Sequence, residues 1–316
     1  MTCAVLLPVY NSGPYLPQAI ESILRQEYSD FEFWIVDDCS NDGSAQVIRS
    51  YASADRRIRA IFHQRNSGLS STLNEGMAAT RADLVVRMDQ DDIALPHRIA
   101  AQTHFMRTRP EVAVAGTFVY HMGRTPSHDR LVTLPVEHEE IVRALALANC
   151  IYHPSVILRR EAIVAAGGYR TEYRNSEDYD LWLRIGKRHR LANIPVPLLR
   201  YRFSLGGMTL GSKWQQALFA QMALVSYVHP EWDFEEVRRQ AVSKLEELGK
   251  NRFLEQVALG TIRELTCLGL HGDAIRALWL FSREIDRRRA IRLIRELGLG
   301  WLRAWRAPRV EAIRYD

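Results

Sequence analysis

The sequence predicts an α/β domain built on a mostly parallel sheet with helices on both faces, followed by a helical C-terminal region. Two observations carry this. Short β-branched runs ending in polar clusters alternate with segments of helical periodicity through the first half of the chain. Beyond Gly211 the pattern is helical, and no strand signal returns. At 316 residues, 47% hydrophobic and 25% charged, the chain has the balance of an ordinary folded protein. That length allows one large core with a smaller appendage.

The strand-like runs cover residues 4–10, 31–36, 58–63, 84–88 and 112–120. Between them, Leu16, Ile20, Ile23 and Leu24 share one helical face, as do Leu73, Met77 and Ala78. Pro96 suits a helix start, with periodicity running from Ile99 to Phe105. Residues 131–202 are mixed: a helix over 139–147, a strand over 155–159 and a helix from about 176 to 188. The glycine-rich stretch 204–208 suggests a boundary near Gly211, giving a catalytic-type domain over 1–211 and a helical region over 212–316.

Four scattered cysteines without a CxxC pair suggest neither a disulfide framework nor a cysteine zinc site. No secretory leader and no apolar run near the ~20 residues of a membrane span is visible, so a soluble or peripheral cytoplasmic protein is expected. The net charge of +5 resides in residues 283–316, where ten arginines face five acids. The basic balance therefore says little about the main domain's substrate.

In a sheet of this kind ligands bind beyond the carboxyl ends of the strands. The first strand ends in Pro8-Val9-Tyr10-Asn11, where a tyrosine ring can stack on a base and free backbone groups can bond its edge; a plain turn is the simpler reading. The second ends in Asp37-Asp38-Cys39-Ser40-Asn41-Asp42-Gly43. A carboxylate there can accept the ring N–H of uracil or thymine, although Asp, Ser and Asn are also common caps. The fourth ends in Arg87-Met88-Asp89-Gln90-Asp91-Asp92. In extended backbone Asp89 and Asp91 share a face and Asp92 points away. Two such carboxylates suit a hard divalent ion, Mg²⁺ or Mn²⁺, completed by phosphate oxygens. Glu177-Asp178 opens a helix, where acids are favoured in any case. One of them can also serve as general base toward a hydroxyl. Trp182, one turn on, either walls an acceptor site or belongs to the core.

In order, LLPVYN, VDDCSNDG, NSGLSSTLNEGM, MDQDD and GGYRTEYRNSEDYDLWLRIG resemble the family 2 glycosyltransferases over roughly Cys3 to Met208. The resemblance implies the Rossmann-like GT-A fold and inverting transfer of a sugar from a nucleotide-diphosphate donor, with a divalent cofactor. It implies donor contacts at Pro8, Tyr10, Asn11, Asp38, Asn66, Gly68, Asn74, Asp89 and Arg202. Asp91 would be the principal metal ligand, assisted by Asp89. Asp178 would be the base, with Glu177 and Trp182 on the acceptor side. Tyr201-Arg202 resembles the family's closing segment, but Ser204 stands where many relatives carry histidine. The Gln-x-x-Arg-Trp signature of processive synthases is absent, which implies one sugar per encounter. The resemblance also implies a role in bacterial polysaccharide or glycolipid synthesis, with a saccharide or lipid-linked acceptor.

A nucleotide-sugar pyrophosphorylase would need a glycine-rich phosphate loop after the first strand, and here there is only Asn11-Ser12-Gly13-Pro14. A dehydrogenase would need GxGxxG, and the stretch 206–213 has the lysine and serine of a P-loop in the wrong order. A catalytically inactive scaffold would not be expected to keep Asp89, Asp91 and Asp178. In the tail, Ile291, Ile294, Leu297, Trp301, Leu302 and Trp305 share a helical face beside Arg292, Arg295, Arg303 and Arg306. Such a helix can lie on an anionic membrane or pack on protein. No nucleic-acid reader motif accompanies it.

Overall fold

The computed structural model describes residues 1–203, 210–270, 273, 274 and 277. The chain divides into two compact units: residues 1–120 with 131–202, and residues 121–130 with the chain from 203 onward.

In the first unit β1 (Cys3–Val9) is buried along its whole length, so both faces must be covered, and its near-continuous apolar sequence fits that demand. After it come α1 (Leu16–Leu24), β2 (Glu32–Asp37), α2 (Ser44–Ala54), β3 (Ile58–Phe62), α3 (Leu69–Ala79) and β4 (Leu84–Arg87). The chain continues through β5 (Ile93–Ala94), α4 (Arg98–Thr108), β6 (Val112–His121), β7 (Arg130–Val132), α5 (His138–Leu145), β8 (Ile157–Arg159), α6 (Arg160–Ala165), α7 (Glu177–Gly186) and β9 (Arg190–Tyr201).

The sheet runs β3-β2-β1-β4-β8-β6-β9-β5, with β7 beside β6. Its first four strands are parallel, with Leu7 opposite Ile35 and Val5 opposite Val86. Beyond β4 the β4–β8, β6–β8 and β5–β9 pairs are antiparallel. β9, which the mixed pattern of residues 131–202 concealed, carries Pro195 and Pro197. Both lie just ahead of its pairing with β5, and Pro195 is exposed, as prolines that cannot donate to a ladder usually are. Because β1, β2 and β4 run parallel, their carboxyl ends lie together at one edge, where their loops can converge.

The core of this unit joins Val5, Leu7 and Val9 to Ile20 and Ile23 of α1, Ile35, Val86, Ile99 and Ile157. Each fully buried aliphatic side chain contributes about 1.5–3 kcal/mol. α3 lies close upon β1. A Cβ added at Gly76 would stand 2.2 Å from Leu6 Cδ1, so glycine sets that approach.

The second unit contains α8 (Leu210–Val228), α9 (Phe234–Leu248) and α10 (Lys250–Cys267). Leu254, Ala258, Ile262 and Leu265 recur at helical spacing on α10 and form its core with Trp214, Phe253 and Phe203. Asp233 caps α9 by accepting from Glu236 N at 2.8 Å. Glu264 of α10 accepts from His121 Nδ1 at 2.7 Å and lies 2.6 Å from Arg130 Nη2, anchoring the 121–130 segment. Among the described residues no helix is long and apolar enough to cross a membrane. The amphipathic tail face from Ile291 to Trp305, the stretch 204–208 and Ser204 lie outside the described residues. All four cysteines are free.

Candidate active site

The edge beyond β1 and β2 is held by reciprocal polar contacts between their loops. Asn11, at φ 48°, donates its N–H to Ser40 Oγ at 3.0 Å and accepts from Asn41 N at 2.9 Å. Cys39 sits at φ 65°, a conformation that costs a non-glycine residue of order 1 kcal/mol and that clusters at functional sites. Gly13 N donates to Asp42 Oδ2 at 2.8 Å, so the turn after β1 is stapled to the β2 loop and forms no open phosphate cradle. Pro8 is buried within β1, opposite Val36, while the Tyr10 ring is 46% exposed and free to stack on a ligand. Tyr10's backbone is not available for a base edge. Gln90 Oε1 accepts its N–H at 2.7 Å and Gln90 Nε2 donates to its carbonyl at 3.1 Å.

Asp38 is 3% exposed, and its carboxylate is turned inward. Oδ1 accepts from Ser67 N at 2.7 Å and lies 2.7 Å from His63 Nδ1, and Oδ2 accepts from Gly68 N at 2.8 Å. Asn66 Nδ2 reaches the Asp38 carbonyl at 3.4 Å. Asp38 thus fixes the loop that carries Asn66 and Gly68, the latter at φ 83° with open space where a Cβ would stand. Glu75 Oε2 lies 2.8 Å from His63 Nε2, off the hydrogen-bond line. Asn74 is spent on structure: Nδ2 donates to the Tyr169 carbonyl at 2.7 Å and Oδ1 accepts Tyr169 N at 2.9 Å.

The loop after β4 concentrates charge. Arg87, 2% exposed, places Nη2 at 2.6 Å from Asp89 Oδ1, while its Nε and Nη1 have no hydrogen-bond partner. Burial, with Asp89 beside it, pushes the Asp91 carboxyl up to about 6. Asp92, 1% exposed, is driven well above the ordinary carboxylate range by burial, then by Asp89 and Asp91. Its Oδ1 accepts from Arg202 N at 2.7 Å and its Oδ2 has no partner. The Arg202 side chain donates to the Asp91 carbonyl at 2.8 Å and to Gln18 Oε1 at 3.3 Å, and stacks 4.2 Å over Tyr15. Below the loop Arg98 is fully buried and donates to the carbonyls of Arg87 and Pro154; burial lowers it to about 9.

At the start of α7, Glu177 is 5% exposed and Asp178 half-buried. Burial pushes Glu177 up to about 7, helped by Asp178. Burial likewise raises Asp178 to about 6, restrained by hydrogen bonds from Tyr179 N and Asn149 and by the Arg87 cation. Arg87 acts on Asp89, Glu177 and Asp178 together, so the β4 acids and the α7 acids share one buried guanidinium. Arg184, in the last turn of α7, ties the helix to the turn after α6, its Nη1 and Nη2 donating to the carbonyls of Ala166 and Gly168 at 2.6 and 2.7 Å. His153 Nε2 lies 3.0 Å from Tyr169 Oη, and burial with Arg87 nearby keeps its imidazole neutral. Trp182, expected on the acceptor side, corrects to core. It is 0% exposed and packs edge-on to His153 at 5.9 Å, because one turn into α7 the side chain already faces inward.

Asp91 and Asp92 are raised by burial and by the carboxylates beside them, a buried Asp92 oxygen is left unpaired, and such oxygens are the donors a hard divalent cation takes. Among the described residues no set of three or more acid, histidine or cysteine side chains is gathered as a cation site, so an ion held by these carboxylates would need phosphate oxygens to complete its shell. Sequence reasoning missed Arg87, Gln90 and Asn149. Arg87 stood in the quoted acidic motif, but its burial is a tertiary fact. Asn149 lies in a stretch where no motif gives it away.

Residues 4–167 match the family model described as glycosyl transferase family 2. The chain is 32% identical over 206 residues to the O-antigen biosynthesis glycosyltransferase WbnJ of Escherichia coli, covering 63% of this chain and 78% of that protein. It is 31% identical over 202 residues to the amylovoran biosynthesis glycosyltransferase AmsE of Erwinia amylovora, covering 63% and 75%. Among solved structures, S. aureus TarS 1-349 in complex with UDP-GlcNAc superposes with a TM-score of 0.58 at 15% identity, covering 90% of this chain and 92% of that one. The mannosyltransferase PcManGT from Pyrobaculum calidifontis, in complex with GDP-Man and Mn2+, gives 0.57 at 17%, covering 96% and 82%. Likeness at such low identity establishes a shared fold.

Proposed function

From the premise that this chain belongs to glycosyl transferase family 2 and has the GT-A fold, we propose that it transfers a sugar, with inversion, from UDP- or dTDP-sugar to an acceptor hydroxyl. The acceptor is a saccharide or lipid-linked saccharide in polysaccharide or glycolipid synthesis, as the names of WbnJ and AmsE suggest for those relatives. The protein would act on the cytoplasmic side, with the basic tail as its membrane contact. One observation carries the reading: Arg87, 2.6 Å from Asp89, also exerts its charge on Glu177 and Asp178, so the donor end and the base end lie within the field of one buried cation.

Asp91, with Asp89, would hold a divalent ion whose charge offsets that growing on the departing diphosphate. Tyr10 would stack on the base, over the Asn66–Gly68 loop that Asp38 keeps in place. Arg202, anchored on the Asp91 carbonyl, would meet the diphosphate from the other side. Asp178, ionised above pH ~6, would take the acceptor proton as the new bond forms on the face opposite the leaving group. A direct displacement of this kind requires no covalent nucleophile.

The test is a panel of UDP-, dTDP- and GDP-sugars with MnCl₂, read by release of nucleoside diphosphate and by melting temperature. UDP or dTDP should raise the melting temperature with Mn²⁺ and not with EDTA. Asp178→Asn should keep that rise and lose transfer. Wild-type turnover by Asp178→Asn removes the base from its role, and a response to GDP-sugars alone overturns the donor assignment.

A further inference from the structure

Asn149 stands four residues past the end of α5, in an exposed turn with no role in the chemistry assigned so far. Its side chain is nevertheless held at both ends. Oδ1 accepts from Ile151 N at 3.1 Å and Nδ2 donates to Asp178 Oδ2 at 2.8 Å. The amide orientation follows from chemistry: a backbone N–H can only donate and an ionised carboxylate can only accept, so the oxygen must face Ile151 and the nitrogen Asp178. The turn is also docked on α7 independently of Asn149, since Tyr179 Oη donates to the Leu145 carbonyl. Cys150 contributes its carbonyl to Asn193 Nδ2 at 3.2 Å. The residue is thus exposed in its solvent contact yet fixed in its geometry.

The geometry points to Asn149 as a positioning residue for Asp178, setting the carboxylate's rotamer and its charge while leaving acceptor contact to Asp178 itself. This deepens the proposed transfer reaction and rests on it. Asp178 Oδ1 is bound to Tyr179 N at 2.7 Å, and Oδ2 is bound to Asn149. One hydrogen bond on each oxygen stops the carboxylate from rotating and leaves a lone pair on each to receive a proton. The titratable groups acting on Asp178 are Glu177 on its own helix, Arg87 from β4 and the neutral phenol of Tyr169 from the turn before α7, with Asp89 acting on Glu177. Arg87 alone among them is cationic, and it is shared with Asp89. Asn149 is a neutral donor from outside α7 that favours the ionised base. It also lies in the segment between α5 and β8, so whatever binds that turn touches the base's support directly.

The experiment is a carboxyl-carbon NMR titration of the full chain labelled at aspartate, with Asp178 identified by the resonance lost in Asp178→Asn. Asn149→Ala should move the Asp178 midpoint upward by about one pH unit, the equivalent of one charge-assisted hydrogen bond. Asn149→Asp, which sets a like charge beside the base, should move it further in the same direction. Both variants should keep the UDP and Mn²⁺ melting shift, because the turn holds its other bonds to α7 and β9. A midpoint unmoved in a folded Asn149→Ala, or moved downward in Asn149→Asp, overturns the inference. Turnover by Asp178→Asn would instead overturn the reaction assigned to the site, and the titration would still report whether Asn149 governs the carboxylate.

Discussion

Asp91→Asn should stabilise the metal-free protein at about pH 7.5 while abolishing its response to Mn²⁺ and UDP. In the folded chain burial, with Asp89 beside it, raises Asp91 from 3.8 to about 6. A carboxyl with a raised folded value holds a proton that the unfolded chain has already released. Stability is then lost as pH climbs from about 4 to 6, and the loss persists above that window. At 1.36 kcal/mol per pH unit the displacement corresponds to roughly 3 kcal/mol. Part of it is repulsion shared with Asp89 and Asp92, and Asp91 keeps some solvent, so removing one charge of three should return about 1–2 kcal/mol. Urea denaturation in EDTA from about pH 4 to 8 measures this. The two proteins should coincide near pH 4 and diverge as pH rises, the variant being the more stable. Equal gains at both ends of the range, or a less stable variant at about pH 7.5, would refute the idea that these acids are held against their own repulsion.

Gln90→Ala removes both bonds to the Tyr10 backbone and should raise the UDP dissociation constant about ten-fold, measured by calorimetry with Mn²⁺, while changing stability by less than about 1 kcal/mol. Gly76→Val drives a side chain into Leu6 and should destabilise the first unit by about 2–4 kcal/mol in chemical denaturation. In the second unit, hydrogen bonds from His121 and Arg130 overcome burial and hold Glu264 below the ordinary carboxylate range. Its contribution is therefore present above the unfolded value and fades on acidification. Glu264→Gln should cost about 1–3 kcal/mol near pH 7, falling away toward pH 3, as read by hydrogen exchange in α10.

The parallel half of the sheet was legible because its strands are apolar runs bounded by polar clusters, and the alternation with helices allows few alternatives. The antiparallel half was less so. β8 falls within the expected strand, but β5 has two residues and β7 three, too few to signal, and the prolines of β9 disguise a twelve-residue strand. In the site, local spacing revealed the acids but not their partners. That Asp38 and Asn74 would bind neighbouring backbone, or that Gln90 would occupy the Tyr10 peptide, depends on contacts between segments 25 to 95 positions apart. Trp182 shows the same limit: helical periodicity places it on the Asp178 face, and packing against His153 decides that it is core.

The acids of the site are not balanced by the cations beneath them. Arg87 is bonded to Asp89 but leaves two nitrogens unpaired, and Arg98 spends its donors on carbonyls, Met88 and Gln102. Against them stand Asp89, Asp91, Asp92, Glu177 and Asp178, most of them with raised protonation. Such an arrangement is poorer as a stabilising network than as a socket. Adding a divalent ion would lower Asp91 and Asp92 directly, freeing Arg87 from part of its duty toward Asp89 and leaving more of its field on Glu177 and Asp178. Donor loading would then favour the ionised form of the base. On that account the midpoint of Asp178 should fall when Mn²⁺ and UDP are added to wild type but stay in place in Asp91→Asn. An Asp178 midpoint indifferent to the loaded site would mean that the two ends, though they share a guanidinium, titrate independently.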